Sequence, residues 1–136
     1  MIPRRLVLLS LFPILLAAPA PLERLAGRWR SRINSIRNGR PLYTRLRLTF
    51  LGSGGFAIEE FATGGALAWI YKGTARLNAD SELFLDVASV NDASGAAPEP
   101  GRARYEAGES YNLGVLEFLS AARVRVGAME LQKELD

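Results

Sequence analysis

Alternation with a period of two, broken at short intervals by Gly, Asn and Pro, constrains this chain more than any other feature of its 136 residues. Successive side chains of an extended strand point to opposite faces, so an alternating run can bury one face and wet the other. Gly27–Ile33 sets Trp29 and Ile33 against Arg28, Arg30 and Arg32. Leu42–Leu51 sets Leu46, Leu48 and Phe50 against Arg45, Arg47 and Thr49. Phe56–Thr63 is a third run, its facing blurred by Glu59, Glu60 and Phe61. Ala66–Leu77 places Trp69, Tyr71, Ala75 and Leu77 opposite Lys72, Thr74 and Arg76. Glu82–Val90, Arg102–Ala107, Tyr111–Leu119 and Arg123–Leu135 complete the series. In the last run Met129 and Leu131 change parity relative to Val124 and Val126, which predicts a bulge near Gly127.

Turn chemistry separates these runs. Asn38-Gly39-Arg40-Pro41, Gly52-Ser53-Gly54-Gly55, Gly64-Gly65, Asn78-Ala79-Asp80-Ser81 and Gly108-Glu109-Ser110 supply the residues that tight turns require. Asn91–Gly101 is longer and rich in Ala, Gly, Pro and Ser, as expected of a surface loop. Eight short strands with tight connections make a meander, because neighbours in sequence become neighbours in space. A meander with one apolar face removes its exposed edges by closing. The expected fold is therefore all-β: an eight-stranded antiparallel up-and-down barrel.

The N-terminus has a different character. Met1–Arg5 is basic and Leu6–Ala18 is almost purely apolar. Ala18-Pro19-Ala20 offers small residues at signal-peptidase spacing. The apolar stretch is shorter than the ~20 residues of a membrane-spanning helix. Residues 1–20 are read as a signal peptide and residues 21–136 as the barrel domain, so a periplasmic or secreted location is expected. Pro21 after the expected cut hinders cleavage, which leaves the cleavage point open. Without Arg4 and Arg5 the formal charge falls from +3 to +1. Nucleic acid would call for a strongly basic surface, so it is not an expected partner.

The chain contains no Cys and no His. Ser–His and Cys–His catalysis, disulfides and zinc–thiolate sites are thereby excluded. Glu59 and Glu60 are adjacent in a strand and face opposite ways, so they cannot work as an acid–base pair. Glu106 and Glu109 are weak candidates for the same role. Asn78, Asp80 and Glu82 loosely imitate a calcium loop but lack its glycine and its later glutamate. No enzymatic activity, cofactor or metal is expected.

Leu25-Ala26-Gly27-Arg28-Trp29, opening the first strand, resembles the Gly-x-Trp start of lipocalins and other calycins. Tyr71-Lys72-Gly73-Thr74, followed by Leu77, Leu83 and Leu85, resembles the middle of small bacterial lipocalin-like domains. The resemblance implies that Trp29 plugs the closed end of the barrel and packs against an arginine late in the chain. Arg123 and Arg125 are the candidates for that partner. The chain is shorter than a typical lipocalin and lacks the usual disulfide.

On this reading Leu46, Phe50, Trp69, Tyr71, Leu85 and Tyr105 face inward, where they either line a pocket or fill the barrel. The arginines at 28/30/32, 45/47, 102/104 and 123/125 form a solvated outer wall; the sharper alternative is one guanidinium holding a carboxylate at the pocket mouth. The leading expectation is an exported binder of a small apolar or amphipathic ligand. The alternative is an envelope protein-interaction barrel of the protease-inhibitor kind, motivated by small size and the Asn91–Gly101 loop. An integral outer-membrane barrel is not expected, because charged residues recur on the outward face of several strands. The state of the interior discriminates: an open cup favours a carrier, a filled one favours surface recognition.

Overall fold

The computed structural model describes residues 21–37 and 40–134. The expected leader and the Asn38–Gly39 turn lie outside the described residues. A one-turn helix, α1 (Pro21–Arg24), leads into strands β1 (Gly27–Arg37), β2 (Arg40–Phe50), β3 (Gly55–Phe61) and β4 (Leu67–Leu77). Strands β5 (Glu82–Asn91), β6 (Ser110–Phe118), β7 (Arg123–Val126) and β8 (Met129–Lys133) follow. Each strand pairs antiparallel with its neighbour in sequence, and β8 returns to β1, so the sheet is a closed up-and-down barrel.

The alternation explains which side chains enter the core. Trp29, Leu46, Leu48, Phe50, Phe56, Ile58, Tyr71, Leu83, Leu85, Val87, Val124, Val126 and Leu131 are all buried in one continuous cluster. Arg45, Arg47 and Thr49 alternate with the buried residues of β2 and face out. Removing apolar surface from water is worth about 25 cal/mol per Å², so any one-residue slip in register would forfeit the burial of a whole strand.

Eight strands are present, but two segments differ from expectation. Arg102–Ala107 is not a strand: it lies within the long connection between β5 and β6. Arg123–Leu135 is not one bulged strand, because the chain reverses at Gly127-Ala128 and β7 pairs with β8, Val126 opposite Met129. Gly127 sits at φ 58°, the positive value needed at the first position of the two-residue turns that match strand twist. A bulge and a turn both invert facing parity, which is why the pattern alone pointed to the wrong one.

Three register shifts shape the barrel among the described strands, one of them between β3 and β4 at Glu60/Phe61. At Lys72/Gly73 the register between β4 and β5 shifts past the unpaired Ala88, and the inward series of β5 passes from Val87 to Val90. At Gly114 the inward residues of β6 change from Tyr111 and Leu113 to Leu116 and Phe118. Any side chain at Gly114 would meet the Gly127 backbone at 2.7 Å, so the bulge and the β7–β8 turn nest together.

Candidate functional site

The barrel has a sealed base. The indole N–H of Trp29 donates to the Leu25 carbonyl at 2.7 Å, and both residues are fully buried. That bond ties the segment after α1 across the bottom opening, with Leu22 packed beside it. The Arg24 guanidinium lies 4.0 Å from the Phe118 ring centre, a cation–π contact that holds α1 to β6. Arg123 and Arg125 do not pack on Trp29. Both point outward, where Arg123 pairs with Glu130 and Arg125 with Glu117. Their parity explains this, since Val124 and Val126 take the inward positions of β7. The cation over the indole is Lys133, with Nζ 5.5 Å from the ring centre.

The opposite end is also covered. The β5–β6 connection folds over the opening and drives Tyr105 down between Tyr71 and Tyr111. Ring centres are 5.1 Å and 4.8 Å apart, in edge-on and tilted geometry. The Tyr71 hydroxyl donates to Glu60 Oε1 at 2.8 Å and accepts the Arg104 amide at 3.0 Å. The Arg104 guanidinium reaches the same carboxylate oxygen at 3.4 Å. The Tyr111 hydroxyl accepts the Glu106 amide. Two amides of Arg102–Ala107 are thus satisfied by tyrosine oxygens in place of a neighbouring strand. Burial pushes the Tyr71 phenol well up, and the bond to Glu60 adds to it. Burial also raises Tyr105. Both phenols therefore stay protonated at neutral pH, and Tyr71 remains a donor.

Glu60 is the inward glutamate of its pair. Its side chain is 13% exposed, while Glu59 faces out beside Arg47. Of the six inward candidates, Leu46, Phe50, Tyr71 and Leu85 are within 2% of complete burial. Tyr105 is nearly so, and Trp69 is half-buried against the cluster. They meet as one packed core. Buried side-chain nitrogen and oxygen atoms all have partners among the described residues.

Two open concavities border this core. An open groove of about 750 Å³ crosses the outer wall of β2, β1, β8 and β7. Arg30, Arg45, Arg47 and Arg123 line it with Glu130 and Glu134, and the inward residues Ser31 and Leu46 border it as well. Strand register assembles this row: Arg30 stands opposite Arg47 on β2 and opposite Gln132 on β8, and Arg123 stands opposite Gln132. Arg47 is shared by Glu59 and Glu134. Arg30 bonds only the neutral Gln132 side chain, and Arg45 stacks near Phe61 at 5.8 Å without a carboxylate partner among the described residues. Two guanidiniums thus keep their charge available. The second concavity, about 240 Å³, is an apolar crevice in the β5–β6 connection between Val90, Pro98, Pro100, Ala103 and Tyr105. The alternation had marked the arginines as outer wall; that they converge on one groove depends on register, which a single strand pattern does not carry.

No protein-family model and no curated protein matches this chain.

Proposed function

We propose that this chain is an exported, lipocalin-like recognition barrel that binds an envelope protein on its outer wall, and that it is neither an enzyme nor a carrier with an internal cup. The observation that carries the reading is the packed core formed by the described inward side chains. Trp29 and Leu25 occupy one end, Tyr105 the other, and the inward aromatics and leucines between them are packed against one another. A ligand of ordinary size needs a cavity of roughly 300 Å³ or more, and the concavity of that size here is an open groove lined mainly by outward arginines and their acidic neighbours. The described outward side chains of β1, β2, β7 and β8 are charged or polar, which suits water and a polar partner better than lipid. Immobilised protein incubated with envelope extract is expected to retain one stoichiometric partner, and Arg45→Glu is expected to release it. Retention of no partner, together with saturable uptake of a hydrophobic dye, contradicts the reading.

One observation favours a second reading. The Tyr105 plug is carried by a connection and not by a strand, and the 240 Å³ apolar crevice opens beside it. If the connection lifts, a small apolar ligand can enter at the Tyr71 end. Saturable dye binding that fatty acids displace supports this gated carrier, and no displacement by any such compound rejects it.

A further inference from the structure

The partner's manner of binding is written in the β1–β8 seam. Strand β1 pairs with β2 along its whole length, to Arg37 opposite Arg40. It pairs with β8 only at Trp29 and Arg30. The Glu134 amide donates to the Arg28 carbonyl, so even-numbered residues of β1 direct their backbone groups toward β8. The next such bond would run from the Arg32 amide to the Glu130 carbonyl. The Ser31 hydroxyl donates to that carbonyl at 2.8 Å, and no register pair forms beyond Arg30. Beyond it the backbone of Arg32, Asn34 and Ile36 faces away from β2 with no partner strand among the described residues. Pro41 stands opposite Ile36, a pair in which the β2 amide has no ladder role, so proline is tolerated there. On the other side of the short β7–β8 hairpin, β6 pairs with β7 only from Leu116 to Phe118.

From this we infer that the edge of β1 from Arg32 to Arg37 accepts an extended acidic segment of the partner as an added antiparallel or parallel strand, its carboxylates reaching Arg30 and Arg45 in the adjoining groove. This mode rests on the outer-wall reading proposed above. Main-chain bonding supplies the register-independent part of such recognition and side-chain chemistry supplies selectivity. The selectivity is acidic because the groove arginines beside the edge, Arg30 and Arg45, are the two without carboxylate partners among the described residues. A second copy of this chain is disfavoured as the occupant, since β1 carries Arg28, Arg30, Arg32 and Arg37 and two such strands repel.

The test uses the full folded chain and fluorescein-labelled seven-residue peptides that alternate Glu with Val, Thr or Tyr. Fluorescence anisotropy measures binding, and amide hydrogen exchange locates it. The expected result is binding that weakens with salt, slowed exchange at Arg32, Asn34 and Ile36, and a loss of tenfold or more when Glu is replaced by Lys. Backbone N-methylation of the peptide, which leaves the protein untouched, is expected to abolish binding. Asn34→Pro should do so as well, because it removes an edge amide without touching the β1–β2 ladder. Acidic peptides that bind equally well when N-methylated, without edge protection, overturn strand addition while leaving outer-wall recognition standing. No binding by any acidic peptide, or a dimer joined through β1, overturns the inference outright. Saturable dye uptake inside the barrel would bring down the outer-wall reading itself.

Discussion

Substituting Trp29 by Phe removes the indole N–H and part of the ring from the base of the barrel, and its cost can be worked from two contributions. The N–H sits 2.7 Å from the Leu25 carbonyl at a fully buried position. A buried acceptor stripped of its donor costs about 1–3 kcal/mol. The smaller ring leaves roughly 40 Å³ unfilled, which at about 24 cal/mol per Å³ adds about 1 kcal/mol. The expected total is about 2–4 kcal/mol, or a fall in Tm of about 8–16 °C for a domain of this size. Urea unfolding followed through Trp69, which remains as the only indole, measures the change. Lys133→Met is the control: it keeps the aliphatic stem and removes the ammonium 5.5 Å from the Trp29 ring centre. It should cost only about 0.5–1 kcal/mol. A Trp29→Phe loss below about 0.5 kcal/mol, or a larger loss from Lys133→Met, would refute the reasoning that packing and one buried hydrogen bond seal the base.

Three further outcomes are expected. Gly73→Ala would place a Cβ 2.0 Å from the Asp86 carbonyl oxygen, so it should cost at least about 3 kcal/mol in urea unfolding. Gly52→Ala, which meets open space, should stay within about 0.5 kcal/mol. Asp86 is held below the usual aspartate range by the Ser110 hydroxyl and then by Arg76, so its folded pKa is depressed. Its contribution to stability is therefore present above an unfolded pKa of about 4 and is lost as pH falls through the lower folded value. Stability measured across that acid window should fall more steeply in the parent than in Asp86→Asn; equal slopes count against it. Tyr105→Ala removes the upper plug and should cost about 2–4 kcal/mol. It should also create dye binding that the parent lacks, detected by fluorescence titration.

Much of the barrel is legible in the chain because burial on one face and turn chemistry repeat together. The runs around Leu46–Phe50 and Leu83–Val87 read true since each buries every second residue, and in Trp69–Leu77 Tyr71 and Ala75 are buried while Trp69 and Leu77 pack partly buried against the core. Two failures share a physical cause. Alternation reports which way side chains face and not what the backbone bonds to. Tyr105 alternates with Arg104 and Glu106 like a strand residue, yet their amides end on Tyr71 and Tyr111. Val126 and Met129 change parity as a bulge would, yet they face each other across a turn.

The site was less legible than the fold. Leu46, Phe50, Tyr71 and Leu85 were readable as inward, but whether an interior is lined or filled depends on the plugs at its ends. Those plugs, Leu25 and Tyr105, come from segments outside the strands. Arg123 and Arg125 were matched to Trp29 by resemblance, whereas Lys133, one of only two lysines, has the facing parity that reaches the ring. The groove needs four strands in register, and the seam that ends at Ser31 needs the relative lengths of β1 and β8. Neither is a property of a single run.

Xenon tests the filled interior most directly, because it enters dry apolar cavities without requiring a chemically matched site. Methyl spectra of the folded protein recorded under increasing xenon pressure should show no progressive shift at Leu46, Leu85, Val124 and Leu131. Saturating shifts confined to those inward methyls would reveal an empty cup between Trp29 and Tyr105 and would contradict the account.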